Sequence, residues 1–332
     1  MTTTTGPPPT TTVAPTTTTV PEAATTTLPE APTVTVSGSI IGLPAEAALI
    51  DRRVVAVKID NHLLARPQFG LETADAVFEV LVESGLTRFI ALFHQSDLEH
   101  IGPNRSGRVT DSKVIAALGG APFQISGAQD WVKDVYVADR VNVVYDTGAT
   151  TFRSRIRPNP HNLFTSTVLL RAWADDRGWT DVNPGNLFAY GEPTPGDAAA
   201  TRIEISFSDA PPSTWVWDGE QYLRYHGSMP HEWVNLDGDS GQVAFDTLVV
   251  MKMRKYTAHD PAGSGTPLPT GRTVGRGEAF VFFNGEVVGG MWERGSIRDP
   301  FFLTTLDGVE IVLPPGRVWI SLVPDNRTIT WE

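Results

Sequence analysis

The sequence predicts an α+β protein, with an N-terminal mixed α/β domain over 40–190 and an antiparallel β-rich domain over 200–332. A disordered Thr/Pro tail over 1–39 precedes both. Three observations predict this. Helix and strand signals alternate up to about residue 195. Beyond it the apolar runs are almost all strand-like and are divided by turn pairs. The first 36 residues hold sixteen Thr and seven Pro, a composition found nowhere else in the chain. A length of 332 residues suits two domains of about 100–200 residues each.

The tail cannot build a core, because Pro fixes φ and lacks a donor while Thr is small and polar. It reads as an extended tether of polyproline character, the kind of tract that forms stalks at cell surfaces. No basic stretch followed by an apolar one marks an export signal in the first thirty residues. No stretch reaches the ~18 apolar residues of a membrane span. The expectation is therefore an exported chain whose signal lies upstream or has been removed. Membrane attachment is expected only through an N-terminal anchor missing from this sequence.

The folded elements follow in order. Residues 54–59 are a β-branched strand ending in Asp60-Asn61. Residues 76–83 alternate, with Phe78, Val80 and Val82 on one side and Glu79 and Glu83 on the other. The turn Ser84-Gly85 and the strand 88–93 complete a hairpin. Helices are predicted over 109–118, stopped by Gly119-Gly120, over 128–138 and over 166–177, stopped by Gly178. Short strands fall at 122–126 and 141–145. The Pro- and Gly-rich stretch 183–200 reads as the connection between domains. Strands then recur at 202–207, 214–217, 221–226, 247–253, 278–283, 287–292, 309–313 and 317–323. The turn pairs include Asp218-Gly219, Asn284-Gly285 and Asp307-Gly308.

Several blocks of residues carry a resemblance. The run Arg66-Pro67-Gln68, Gly70-Leu71, Ala74-Asp75, Glu79, Glu83 through Gly85, and Thr87-Arg88-Phe89 resembles a hallmark block of the YerB-like bacterial lipoprotein family. Ile101-Gly102-Pro103 with Arg105-Ser106 and Arg108 resembles a second block, and Asn159-Pro160-His161-Asn162-Leu163-Phe164 a third. Gly275, Gly277, Gly290-Met291-Trp292, Leu313-Pro314-Pro315-Gly316 and Trp319-Ile320 resemble the C-terminal part. The resemblance covers about 45–332 and implies a two-part lipoprotein on the outer face of the cytoplasmic membrane. Its domains have no assigned function, so it implies no chemistry. The sequence departs from the family in lacking the lipobox cysteine.

Composition removes several classes of function. There is no cysteine, hence no disulfide, thiolate nucleophile or Cys-ligated metal. A net charge of −12 argues against nucleic acid as a partner, since phosphate binding needs a basic surface. No cofactor and no metal site is expected. His226 and His231, with Glu232, would hold zinc only if the chain folds back between them. Asn235, Asp237, Asp239 and Asp246 follow a calcium-loop spacing, but Ser240 replaces the required Gly and a hairpin turn is the simpler reading.

The densest polar set is Arg66, Asp75, Glu79, Glu83, Arg88, Arg105, Ser106 and Arg108. Guanidinium forks suit carboxylate or phosphate, and 102–108 could bring two of them to one anion. The competing reading is structural pairing of each Arg with Glu79, Glu83 or Asp75. Arg153, Arg155 and Arg157 alternate on one face of an extended segment, and His161 and Asn162 would extend the surface. Glu79 and Glu83 lie about 13 Å apart along a strand, too far for a glycosidase pair. The expectation is thus an envelope binding or accessory protein. Its ligand-binding residues would be Arg66, Glu79, Glu83, Arg88, Arg105, Ser106, Arg108, Arg153, His161 and Asn162. Its partner would be an anionic envelope ligand or an envelope protein. One alternative is a hydrolase or transferase acting on cell-wall glycan or a phosphorylated precursor, with Glu79 or Glu83 as acid or base. Another is a purely structural interaction module.

Overall fold

Alternation at 76–93 produces the hairpin that centres the fold. A computed structural model of the chain describes residues 1–3, 6, 35–36 and 38–332. The Thr/Pro tether expected over 1–39 lies for the most part outside the described residues. The elements that matter for the site are, in chain order, β1 (Val55–Asp60), β2 (Ala76–Leu81), β3 (Thr87–Phe93), α1 (Val109–Ile115), β4 (Phe123–Gln124), α2 (Asp130–Ala138), β5 (Val143–Val144), β6 (Thr151–Arg153), β7 (Leu163–Thr165) and α3 (Thr167–Asp176). They continue with β8 (Ala198–Ala199), β9 (Arg202–Ile205), β10 (Ser213–Trp217), β11 (Tyr222–His226), β12 (Met229–Pro230), β13 (Thr247–Met253), β14 (Gly275–Phe283), β15 (Glu286–Arg294), β16 (Phe302–Thr305), β17 (Val318–Pro324) and β18 (Ile329–Trp331).

Both halves of the chain build one 11-stranded sheet, ordered β8-β15-β14-β13-β17-β2-β3-β1-β4-β5 with β16 beside β15. The join is the parallel pair β17–β2, with Ile320 opposite Phe78, and β17 also lies parallel to β13. Apart from a short parallel pair of Val312–Leu313 with Ala189–Tyr190, the strands of the C-terminal segment otherwise pair antiparallel. A second, six-stranded antiparallel sheet contains β12-β11-β10-β9-β18. The Asn284-Gly285 pair turns β14 into β15 with both residues at positive φ (53° and 75°), as a tight hairpin requires. The α+β class read from the sequence is the class observed.

Two cores cover the two faces of the central sheet. Ala56, Phe78, Val80, Ile90 and Leu92 face α1 and α2, where they meet Val114, Ile115, Val132 and Tyr136. Val55, Val57, Ile59, Val77, Phe89 and Ala91 face α3 and the second sheet, where they meet Leu170, Ile203, Trp215 and Tyr222. Successive strand residues point to opposite faces, so the register assigns each polar side chain a side. Asp60 lies opposite Arg88, while Ile59 and Glu79 both lie opposite Phe89. Lys58, Asp60 and Arg88 therefore share the helix face, and Glu79 shares the face of the second sheet.

One local expectation fails. Arg153, Arg155 and Arg157 do not share one face of a strand, because β6 ends at Arg153 and the chain bends through 154–157. Pro158 and Pro160 follow, and proline cannot donate to a ladder.

Candidate functional site

Strands β1, β2, β4, β5, β13 and β17 run in one direction, and the polar clusters gather at their carboxyl ends. In open α/β sheets this is the end where loops build ligand sites. The sheet then divides the expected residues into two groups.

On the helix face, Lys58 is fully buried and its Nζ donates to Asp111 Oδ1 of α1 at 2.7 Å. Burial, together with the charges of Arg88 and Arg108, lowers its pKa to about 8 against the raising effect of Asp111. Arg108 forms a two-pronged pair with Glu83, both contacts at 2.6 Å, and also donates to the Ser106 and Gly107 carbonyls. Burial raises the Glu83 carboxyl, but the Arg108 hydrogen bonds and charge outweigh it and hold the group below its ordinary value. Arg88 donates to the Ser106 carbonyl at 2.8 Å, and burial beside Arg108 lowers its pKa to about 10. Asp60, 3% exposed, meets His161 Nδ1 at 2.8 Å and Arg105 Nε at 3.3 Å. The Ser106 and Ser126 hydroxyls are 3.3 Å apart. Arg153 reaches Asn162 at 3.1 Å and Asp146 at 2.9 Å on the exterior. Here Glu83 is committed to Arg108, Asp111 to Lys58, and Asp60 to His161 and Arg105, and these contacts hold loops to the sheet. Asp75 is elsewhere, at the start of β2, accepting the His94 amide at 2.6 Å.

On the opposite face, Glu79 is 1% exposed. Its Oε1 accepts from Thr87 at 2.7 Å and from Arg224 of β11 at 2.8 Å, and its Oε2 accepts from Trp319 Nε1 of β17 at 3.0 Å. The Arg224 guanidinium lies over the rings of Trp319, Phe89 and Trp215 at 4.9, 5.2 and 5.6 Å. Its Nη1 donates to both His226 Nε2 and His231 Nδ1. With Nδ1 accepting, His231 carries its proton on Nε2 and donates it to Gln68 Oε1 at 2.7 Å. Burial, then the Arg224 charge, holds both imidazoles far below their usual pKa, so both are neutral.

Outside this buried wire lie two adjoining grooves of about 310 and 210 Å³. Arg66 and His226 line both. The larger also has Asn61, Thr87, Phe207, Ser213 and Arg224 in its walls. Among the described residues the Arg66 side chain bonds only to neutral Asn61, through Nε to Oδ1 at 3.1 Å and Nη2 to the carbonyl at 2.9 Å. Burial, then the neighbouring Arg224, lowers its pKa to about 10. The Ser213 hydroxyl and Arg224 Nε, on residues 5% and 0% exposed, have no hydrogen-bond partner among the described residues.

The structure thus brings Arg66 and Glu79 to the grooves. It places Glu83, Arg88, Arg105, Ser106, Arg108 and His161 across the sheet, and Arg153 and Asn162 on the exterior. Arg224 and Ser213 were not anticipated. The chain does fold back between His226 and His231, whose rings are 4.8 Å apart, but the Arg224 guanidinium stands between their nitrogens. A cation there excludes a second one, and Glu232 is exposed on the outer rim. The calcium spacing is also not assembled. Asn235 and Asp239 close a turn on each other, while Asp246 accepts from Gln221 and from the Arg317 amide.

Residues 41–180 match the family described as protein of unknown function (DUF3048), N-terminal domain, and residues 203–320 match its C-terminal domain. Over 294 residues the chain is 26% identical to YerB of Bacillus subtilis (strain 168), a protein named as a candidate lipoprotein, covering 86% of each chain. The crystal structure of YerB protein from Bacillus subtilis shares the fold, with a TM-score of 0.75 at 23% identity, covering 89% of this chain and 99% of that one.

Proposed function

The chain belongs to the DUF3048 family of YerB-like proteins, and from that premise we propose that it is an extracytoplasmic, membrane-tethered binding protein of the cell envelope that holds an anionic ligand at Arg66. The name of the relative and the Thr/Pro-rich first 36 residues support the location. The observation that carries the binding role is Arg66 itself. It is a half-buried guanidinium whose side chain bonds, among the described residues, to neutral Asn61 alone, in a groove shared with a buried hydroxyl that has no partner among them. Desolvation and the Arg224 charge disfavour its positive charge more than the charges of Glu79 and Asp60 favour it, and a bound anion would offset both. The fork of an arginine suits a phosphate or carboxylate, held in two-pronged fashion. A groove of about 310 Å³ falls at the small end of ligand clefts and suits a ligand larger than one phosphate group.

The acid–base role weighed for Glu79 and Glu83 gains no support. Glu79 accepts three hydrogen bonds behind the groove wall, and Glu83 is gripped by Arg108.

Thermal unfolding of the full chain with inorganic phosphate, a muropeptide and a teichoic-acid fragment tests the binding role. A ligand at 100 times its Kd adds about 2.7 kcal/mol. That is a rise of roughly 5 °C for a chain of this size. The rise is expected to vanish in Arg66→Ala and to survive in part in Arg66→Lys. No rise with any anion, or a rise undiminished in Arg66→Ala, sinks the proposal.

A further inference from the structure

We propose that the turn after β1 and the tip of the β6–β7 hairpin form a docking surface for an anionic lipid bilayer, independently of any ligand at Arg66. Four large apolar side chains stand in solvent at this end: Leu63 (62% exposed), Leu64 (59%), Ile156 (66%) and Met229 (58%). Single exposed apolar residues are ordinary, but four on adjoining loops mark an interaction surface.

The leucine turn is a built feature. Residues Leu63–Ala65 form one 3-10 turn, in which the Leu64 amide donates to His62 Nδ1 at 3.2 Å and the Ala65 amide to the His62 carbonyl at 2.8 Å. Ala65 is fully buried and anchors the turn, while Arg66 grips Asn61 from the other side. The two leucines are therefore held outward. The hairpin tip is fastened beside them. The His62 ring stacks on His161 at 4.9 Å and 13°, and Arg157 donates to the Pro67 carbonyl. Met229 faces the same groove as Leu63.

Charge identifies the partner. Arg155 flanks Ile156 in solvent, while Arg157 is turned inward over the Phe69 ring with its Nη1 buried and fastens the tip; neither has an ion-pair partner among the described residues. Among the acids nearby are Asp60, buried and bonded to the His62 amide, His161 and Arg105, Asp146, paired with Arg153, and Glu232 on the groove rim. In a chain of net charge −12, the unpaired, solvent-facing Arg155 beside the exposed apolar tips departs from the general surface character. Apolar side chains that enter an interface, flanked by guanidiniums at headgroup level, are the pattern of anionic membrane surfaces. The tips sit on separate loops, which a fluid bilayer accepts without a matching shape.

Co-sedimentation of the full chain with phosphatidylcholine vesicles, with and without phosphatidylglycerol, tests this. Binding is expected only with phosphatidylglycerol, and is expected to fall as salt is raised. Arg155→Glu is expected to weaken it at least fivefold, and Ile156→Ser and the double change Leu63→Ser/Leu64→Ser to weaken it further. Leu63, Leu64 and Ile156 are more than half exposed and Arg155 is exposed, so the melting temperature is expected to be unchanged and serves as the folding control. No binding to phosphatidylglycerol vesicles overturns the proposal and points to a protein partner for the patch. Binding equal in the serine variants overturns it as well, since attachment would then be elsewhere.

Discussion

Arg224→Leu is expected to destabilise the protein by about 3–5 kcal/mol, the cost of leaving a buried charge without its partner. Glu79 would remain 1% exposed with only Thr87 and Trp319 as donors, and the acceptor nitrogens of His226 and His231 would lose theirs. The loss is structural in a specific sense. Glu79 is on β2, Trp319 on β17 and Arg224 on β11, so one ion pair ties the second sheet to the strands at which the two halves of the chain join. A leucine roughly fills the space among Phe89, Trp215 and Trp319, so packing alone would not account for a loss of this size. The double variant Glu79→Leu/Arg224→Leu separates the terms. With neither charge buried it is expected to recover part of the loss, the remainder reflecting the orphaned imidazoles. Urea unfolding of the two single variants and the double variant measures the cycle. An Arg224→Leu protein within 1 kcal/mol of the parent would show that solvent reaches Glu79.

Arg224 shows which part of the site was legible in the sequence. Tyr222, Arg224 and His226 alternate, so a buried Tyr222 already places Arg224 on the inward side of its strand. An arginine on an inward position was the available signal, but the sequence names no partner, and Glu79 lies 145 residues away. His226 and His231 drew attention as metal ligands because spacing reports proximity and not what stands between two side chains. The hairpin 76–93, the three helices and most C-terminal strands were legible, because periodicity and turn residues are local properties. The merging of both halves into one sheet was not. It depends on β17 choosing β2 as a parallel neighbour, and alternation fixes which face a side chain takes but not which strand lies beside it. The same limit explains the division of the candidate residues. Glu79 and Arg88 belong to one hairpin and one resembling block, yet adjacent register positions put them on opposite faces of the sheet.

Stability is expected to rise between pH 8 and pH 10, and Lys58→Met is expected to abolish that rise. Lys58 is fully buried on β1 with a pKa of about 8, lowered first by burial and further by Arg88 and Arg108. In the unfolded chain it would titrate near ~10.4. Below pH 8 both states hold the proton, and the folded state bears the cost of a buried charge. Between the two values the unfolded chain holds a proton that the folded chain has released, so unfolding becomes less favourable as pH rises. The gain is on the order of 1–3 kcal/mol, at ~1.4 kcal/mol per unit of pKa difference. Above pH 10 the buried Tyr136, Tyr190 and Tyr222, kept protonated in the folded protein while the unfolded chain ionises, oppose the trend. Asp111→Asn sharpens the test. It removes the carboxylate 2.7 Å from Nζ, so it is expected to cost about 3–5 kcal/mol at pH 7 and distinctly less at pH 9.5, where Lys58 is neutral. Urea unfolding at the two pH values reads both variants, and a parent protein whose stability does not change between them would mean that Lys58 keeps its ordinary pKa. Burial is the first cause of the shift, and the local charge balance of the helix face adds to it. Lys58, Arg88, Arg105 and Arg108 face Asp60, Glu83 and Asp111, which leaves one positive charge in excess. Arginine holds its proton more firmly than lysine, so the excess falls on Lys58, the only member of the group able to discharge it near neutral pH.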